Sequence, residues 1–253
     1  MTDRMEGILS ALTAQHADLD AMLDSLDDAQ WAVPVPRCPG WTVADVVVHL
    51  AQTDELAAAS ASGDFEGQAR IFREGANVDE GAAEAVDMER GASSCELLRR
   101  WRAGSVAQHA ALSAADLGVR LPWVTNTLSP ATLATTRLSE SWIHTGDIAD
   151  ALGITLPSDA DRLHHIAWLA WATLPYAFER EGSTLLGPVA VTLDGPDGKQ
   201  WRFGDEATAT TRVTGPGDEW CAVAARRVEP AATRLIAEGP DAEMVLALVR
   251  TYA

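Results

Sequence analysis

Apolar side chains recur every three or four residues through roughly the first 180 residues, which is the spacing of one buried face of an α-helix. Ile8, Leu12, Leu19 and Leu23 share one such face, and the proline-rich segment 33–40 ends it. The spacing therefore predicts a series of helices separated by short connections. These helices are predicted at residues 3–28, 42–62, 94–115, about 130–151 and 159–179, the last interrupted by Pro175.

Local signals mark where two of these helices begin. Thr42, followed three residues later by Asp45, has the pattern of a capping box, in which each side chain accepts a hydrogen bond from the other residue's backbone. Ser129 precedes a proline at the first helical position, which is another typical helix start. The segment 62–92 is small, acidic and glycine-containing, so we expect a loop there with one short helix at about 68–74.

The pattern changes in the last part of the chain. Residues 188–193 alternate between apolar and polar, a glycine-containing turn follows, and residues 200–203 alternate again, which predicts a β-hairpin. Two more strands are expected at 209–214 and 219–224, and a closing helix at 241–251.

This change predicts an α+β protein of two domains, a helical bundle over residues 1–182 and a small α+β domain over residues 183–253. A chain of 253 residues in which 47% are hydrophobic can bury a sizeable core.

The net charge of −18 narrows the classes of partner. Such a surface repels phosphate backbones and anionic lipid, which argues against nucleic-acid and membrane partners. No apolar run is long enough to cross a bilayer and the first residues lack the profile of a signal peptide, so we expect a cytoplasmic protein. The three cysteines are scattered and form no CxxC pair, as is typical of proteins in a reducing compartment.

Three residues on two predicted helices have the composition of a reactive metal site. Glu140 and His144 are four residues apart, so a helix places them one turn apart on a single face. His49 lies on the inward-facing stripe of the helix at 42–62. Two imidazoles and one carboxylate leave room for a water or a thiolate, which is the usual make-up of an open divalent-metal site.

The same residues also have plainer interpretations. Taken on its own helix, the stripe that contains Arg137, Glu140 and His144 is better explained as a solvated face with ion pairs such as Arg137–Glu140. A histidine on an apolar stripe, such as His49, is often a hydrogen-bonded core residue. The two helices together favour the metal site more than either does alone, because helical bundles build such sites from inward side chains on facing helices.

Two segments of the chain resemble a known family. Residues 38–50, which contain Gly-Trp-Thr-x-x-Asp-x-x-x-His, and residues 140–147, which contain Glu-x-x-x-His, are similar to the DinB-like metal-binding bundles. The closest branch is the mycothiol-dependent maleylpyruvate isomerase family of actinobacteria. The resemblance implies an N-terminal DinB-like four-helix bundle joined to a small, sterol-carrier-like C-terminal domain, and it covers nearly the whole chain.

The resemblance also implies ligands and a cosubstrate. His49, Glu140 and His144 are the expected ligands of a divalent metal, with Zn²⁺ favoured and Fe²⁺, Ni²⁺ and Mn²⁺ left open. Family members use the thiol of mycothiol, a low-molecular-weight pseudo-disaccharide thiol, together with a small-molecule substrate. Arg226 and Arg227 are expected to end a strand where the family places an anion-contacting arginine, near a cleft between the two domains.

Other residues are weaker candidates for the same site. Asp147, three residues after His144, could orient its imidazole, and Asp45 could do the same for His49; the alternatives are a surface acid and a helix cap. Trp41 and Arg137 are candidate cofactor-binding residues, with a core tryptophan and a surface charge as the alternatives.

Three further residues are candidates for the site, although another role is favoured for each. Arg70 and Arg73 are further candidates for gripping a carboxylate, although a surface charge is favoured for each. Cys38 precedes Pro-Gly-Trp and is expected near the site, where a small hydrophobe is its favoured role.

The leading hypothesis is a metal-dependent, mycothiol-using isomerase or S-transferase that acts on a small electrophile, including carboxylate-bearing ones. A second hypothesis is a non-catalytic metal-binding protein with a sequestering, regulatory or partner-binding role. In a third, the site is degenerate and the bundle serves only as a scaffold.

Overall fold

The computed structural model describes residues 3–71, 77–124 and 126–251. The chain divides into two compact units, Met1–Leu156 and Pro157–Ala253. The first is helical with one short hairpin, and the second combines helices with a sheet, so the α+β prediction is confirmed. The domain boundary predicted at residue 182 rests on the change from helices to strands and stays a prediction.

Helices α1 to α7 and one two-stranded hairpin make up the described part of the first unit. In chain order these are α1 (Asp3–Asp24), α2 (Asp28–Trp31), α3 (Val43–Ser62), α4 (Phe65–Gln68), α5 (Val78–Met88), α6 (Ser94–Ala114), β1 (Leu121–Pro122), β2 (Thr127–Leu128) and α7 (Pro130–Leu152). The long helices predicted from residues 42, 94 and 130 are confirmed. The helix predicted at 3–28 ends earlier, because Asp27 caps the separate helix α2 through the backbone N–H of Gln30.

The expectation of a loop over residues 62–92 was wrong for its second half, which forms α5. Asn77 caps this helix by accepting from the backbone N–H of Glu80. Its buried side includes Gly81 and Ala85, and the carbonyl of Ala85 accepts a hydrogen bond from Gln52 of α3 at 2.8 Å. Residues this small give no clear apolar stripe in the sequence. Of the short helix predicted at 68–74, residues 69–71 form a 3₁₀ turn, and residues 72–74 lie outside the described residues.

Helix α3 begins where the capping box predicted it. The backbone N–H of Thr42 donates to Asp45 Oδ2 at 2.8 Å, and the backbone N–H of Asp45 donates to Thr42 Oγ1 at 3.3 Å. Arg90 donates to the other oxygen of Asp45 at 2.9 Å and to the carbonyl of Gly40 at 3.0 Å. Gly40 has φ +84°, a conformation that favours glycine, so the chain can reverse just before the helix.

The four long helices pack in pairs, α3 with α6 and α1 with α7. Two apolar clusters take residues from opposite ends of α1, one containing Met5 and Ile8 and the other containing Leu19 and Leu23. Between them lies a set of buried polar side chains from all four helices, which we call the polar layer. Its members are Gln15, His16, Thr53, Asp54, Gln108, Arg137, Ser141 and Thr145.

The second unit is built around a four-stranded mixed sheet. Its elements are α8 (Ala160–Ala172), α9 (Leu174–Arg180), β3 (Val189–Asp194), β4 (Gln200–Phe203), β5 (Thr211–Pro216), α10 (Gly217–Ala224), β6 (Ile236–Glu238) and α11 (Ala242–Leu248). The strand order is β4-β3-β5-β6, with β3 parallel to β5 and the other pairs antiparallel. The predicted hairpin, the strand at 209–214 and the closing helix are confirmed within a few residues.

The strand predicted at 219–224 was wrong, because these residues belong to α10. Trp220, Cys221 and Ala224 are all buried, and the spacing from Trp220 to Ala224 is one helical turn. Trp220 Nε1 donates to the carbonyl of Ala167 in α8 at 3.2 Å. A short apolar run is compatible with either a strand or a helix, and packing against α8 favours the helix here. No helix in the described ranges is long and apolar enough to span a bilayer.

The capping box gives a prediction about the stability of the first unit. Replacing Thr42 by Ala leaves the N–H of Asp45 without its side-chain acceptor, and we expect a loss of about 1 kcal/mol in the free energy of unfolding. The measurement is urea denaturation followed by circular dichroism. Thr42→Ser retains the hydroxyl and should stay close to wild type; an equal loss in both variants would show that the methyl group, and not the cap, is responsible.

Candidate metal centre

His49, Glu140 and His144 converge from two helices. His49 lies in the second turn of α3, and the other two are one turn apart on α7. Candidate ligand atoms of the three side chains lie within 4.8 Å of one another. His49 Nε2 and Glu140 Oε1 are 2.7 Å apart, and the two imidazole rings meet edge to face with centroids 5.2 Å apart. The structure thus brings together the three residues that the sequence selected as metal ligands.

Glu140 is held as a carboxylate by its neighbours. Burial would raise its pKa, but the adjoining Arg137 guanidinium and the hydrogen bond from His49 hold that pKa well below its usual range. Because an ionised carboxylate only accepts hydrogen bonds, His49 Nε2 carries the proton in this contact. His49 Nδ1 is buried and has no hydrogen-bond partner in the described part of the chain.

Arg137 is fully buried and bridges α7 to α3. Its Nη1 donates to Glu140 Oε2, and its Nη2 donates to Thr53 Oγ1 at 2.8 Å and to Asp54 Oδ1 at 3.1 Å. Burial would lower the pKa of Arg137, but the two carboxylates raise it above its usual value. The ring of Trp123 lies 5.9 Å from the guanidinium carbon. The Arg137–Glu140 ion pair therefore exists, but its arginine is in the interior and not on a solvated face.

Asp147 contacts the other imidazole of the set. His144 Nδ1 and Asp147 Oδ2 are 3.1 Å apart, and Asp147 is only 2% exposed. Burial lowers the pKa of His144 although the hydrogen bond with Asp147 acts in the opposite direction, so the ring is neutral at pH 7. Since Nδ1 faces the carboxylate, Nε2 is the nitrogen left for a metal. Asp147 is thus not the surface acid of the alternative interpretation, whereas Asp45 is the helix cap.

Two residues of the loop before α3 also reach this centre. The ring centroids of Trp41 and His49 are 5.2 Å apart with an angle of 45° between their planes. Cys38 Sγ lies 3.6 Å from Asp147 Oδ2 and 3.8 Å from His144 Nδ1, while its side chain also packs against the apolar cluster beneath. Cys38 therefore has polar contacts in addition to the apolar role expected from the sequence.

The structure describes three of the four remaining arginine candidates. Arg226 and Arg227 belong to the second unit and follow α10, where Arg226 has φ +58° and donates to the carbonyl of Ala247 at 2.6 Å. Arg227 donates to the carbonyl of Ala225 at 2.8 Å. Their role in gripping an anion stays a prediction. Arg70 is exposed on the 3₁₀ turn, and Arg73 lies outside the described residues.

Sequence reasoning anticipated the pairing of Arg137 with Glu140 but not its partners on α3. Asp54 follows Thr53 on α3 and accepts from Gln108 of α6 at 2.7 Å as well as from Arg137. A signal was present, because an inward-facing guanidinium has five N–H donors, more than one glutamate on its own helix can satisfy, so acceptors are expected on a facing helix. Asp54 was missed because the helical repeat counted from His49 passes through Thr53 and not through its neighbour.

Comparison with known proteins then identifies the family. A family model described as the mycothiol maleylpyruvate isomerase N-terminal domain matches residues 12–149. The chain belongs to this family. Uncharacterized proteins from two strains of Mycobacterium tuberculosis are 36% identical to it over 244 residues, which is 96% of this chain and 93% of each relative.

Solved structures show the same fold across almost the whole chain. A crystal structure of a mycothiol-dependent maleylpyruvate isomerase has a TM-score of 0.57 with 14% identity, and that of a point mutant has a TM-score of 0.60 with 13% identity. Each comparison covers 96% of this chain and 99% of the other. The match to the family model includes all three converging residues, since His49, Glu140 and His144 lie within residues 12–149.

The buried position of Arg137 gives a prediction about stability. Arg137→Met leaves Asp54 and Glu140 in the interior without their shared cation, and we expect a loss of about 3–5 kcal/mol in the free energy of unfolding. The matched control is Arg102→Met, which removes an arginine that pairs with Asp20 at the surface and should cost at most about 1 kcal/mol. Equal losses in urea denaturation of the two variants would contradict a special role for Arg137.

Proposed function

We propose that this protein is a metal-dependent, mycothiol-using enzyme, an isomerase or S-transferase, with His49, Glu140 and His144 as its metal ligands. The observation that carries the proposal is the convergence of these donors from α3 and α7. Membership of the mycothiol maleylpyruvate isomerase family supports it, and so does the fold shared with a mycothiol-dependent maleylpyruvate isomerase.

The residues present fit a divalent cation in three respects. The donor set of two imidazoles and one carboxylate suits Zn²⁺ and also Fe²⁺, Ni²⁺ or Mn²⁺. His49 Nε2 lies 2.7 Å from Glu140 Oε1, so a cation held between these two side chains would take the place of their hydrogen bond. Arg137 carries one positive charge against the two negative charges of Asp54 and Glu140, so this buried group has an excess negative charge that a cation would offset.

A bound divalent cation would lower the pKa of a thiol or a water, so that either is ionised near neutral pH. The protein's own residues prepare the site for this. Arg137 keeps Glu140 ionised and fixes the position of its carboxylate. Asp147 keeps the Nδ1 side of His144 engaged, which leaves Nε2 as its donor atom. The Trp41 ring lies against that of His49, whose side chain is 10% exposed.

The reaction of the mycothiol thiol with an electrophilic substrate then gives one of two products. Addition of the thiol across an activated double bond gives a single bond that can rotate, and elimination of the same thiol yields the isomer. If the adduct is retained, the product is a thioether conjugate. For a carboxylate-bearing substrate, Arg226 and Arg227 are the arginines that we assign to binding the anion.

Elemental analysis tests the metal ligands. We expect about one equivalent of metal in purified Cys38→Ser protein, in which the thiol beside His144 cannot hold a metal, and its loss when His49→Ala or His144→Ala is added, because each variant leaves only two donors. His109→Ala is the matched control, since this histidine lies on α6 and contacts Thr13. Retention of the metal in both His49→Ala and His144→Ala, at matched circular dichroism, would refute the assignment.

Turnover separates the enzyme from a non-catalytic metal-binding protein. We expect metal-loaded wild-type protein to bind mycothiol in calorimetry and to isomerise or conjugate maleylpyruvate or a related electrophile only when the thiol is present. His49→Ala should reduce this turnover to background, because the site loses one of its donors. A protein that binds metal but neither mycothiol nor any electrophile in such a panel would favour the sequestering or regulatory alternative.

A further inference from the structure

A second group of donor atoms lies on the other side of the His144 ring. Cys38 Sγ, His144 Nδ1 and Asp147 Oδ2 lie within 4.8 Å of one another. Cys38 comes from the loop before α3, and the other two come from α7. This group shares only the imidazole of His144 with the centre described above.

The arrangement does not match a Cys-His-Asp catalytic triad. In a triad the cysteine and the carboxylate contact opposite nitrogens of the imidazole, so that the ring can pass a proton between them. Here both Cys38 and Asp147 contact Nδ1, at 3.8 and 3.1 Å. The ring therefore cannot relay a proton from the thiol to the carboxylate.

The distances do match those between the ligands of a tetrahedral metal ion. Zinc bond lengths to sulfur, nitrogen and oxygen imply separations of about 3.6 Å for S···N, about 3.6 Å for S···O and about 3.4 Å for N···O. The observed values are 3.8 Å from Cys38 to His144, 3.6 Å from Cys38 to Asp147 and 3.1 Å from His144 to Asp147. Small shifts would place all three atoms in the first coordination sphere of one cation.

Backbone hydrogen bonds fix the position of Cys38. Its N–H donates to the carbonyl of Val35 at 2.9 Å, and its carbonyl accepts from the N–H of Trp41 at 3.0 Å. The two ends of the loop are joined by the bridge between Pro34 and Thr42. Asp147 is fixed by its helix and is almost fully buried. The donors therefore come from two ordered elements, which lowers the entropic cost of collecting them around an ion.

We propose that Cys38, His144 and Asp147 form a second cation position, which takes a thiophilic divalent ion such as Zn²⁺ or Cd²⁺. This inference does not depend on the proposed enzymatic function. The position is selective for thiophilic ions because sulfur is one of its donors. It excludes simultaneous occupancy of the first centre, because a neutral imidazole has one lone pair and cannot bind through Nδ1 and Nε2 together.

Cadmium binding followed by ultraviolet absorption tests the proposal, because a thiolate bound to Cd²⁺ gives a charge-transfer band. The probe is Cd²⁺ added to metal-free protein under reducing conditions. We expect the band in wild type, and in His49→Ala and Glu140→Gln, either of which disables only the first centre. Cys38→Ser should abolish the band. Cys95→Ser, which alters an exposed cysteine, should retain it and is the matched control.

The outcomes for the second position and for the proposed function are separate. The second position is refuted if the band is missing from His49→Ala and Glu140→Gln, each folded by circular dichroism, or if it survives in Cys38→Ser. If the band behaves as expected while elemental analysis in the Cys38→Ser background finds no dependence of bound metal on His49, the second position stands and the assignment of the first centre fails. Bound metal that depends on His49, with no band in any variant, gives the opposite conclusion.

Discussion

The helical unit depends on one buried guanidinium, that of Arg137. Hydrogen bonds, unlike apolar contacts, have direction, so the contacts of Arg137 with Thr53 and Asp54 determine how far α7 can turn or slide against α3. A slide of one helical turn would move the partners by about 5.4 Å and leave charges unpaired in the interior. The same guanidinium orients Glu140, so the register of the two helices and the geometry of the centre are determined by one side chain.

The polar layer also explains how a charged centre is compatible with a stable core. Apolar clusters at both ends of α1 supply the hydrophobic burial, and the polar side chains between them form hydrogen bonds with one another across the helices. Gln15 donates to Thr145 at 2.9 Å, and His16 contacts Ser141 at 3.2 Å. The centre lies beside this layer, and Arg137 of the layer forms an ion pair with Glu140 of the centre. In a low-dielectric interior, such a pair fixes the position of the ligand.

The features that the sequence predicted are those encoded locally. The start of α3 follows from Thr42 and Asp45, three residues apart, and the pairing of Glu140 with His144 follows from the helical repeat. The polar contacts of Cys38 and the placement of Arg137 depend on residues about a hundred or more positions away or on a facing helix, and no short-range pattern records them. Helix α10 was mistaken for a strand for the same reason, because its packing against α8 is a tertiary contact.

The hydrogen bonds of Arg90 with Gly40 and Asp45 have a consequence for protein engineering and for divergence within the family. This residue follows α5 and holds both the carbonyl of Gly40 and the carboxylate of Asp45, so the segment after α5 supports the loop that carries Cys38 and Trp41. A chimera that takes only one of these two segments from a relative would separate the guanidinium of Arg90 from its acceptors on Gly40 and Asp45. The loop before α3 and the segment after α5 therefore have to be exchanged together, although some forty residues separate them in the sequence.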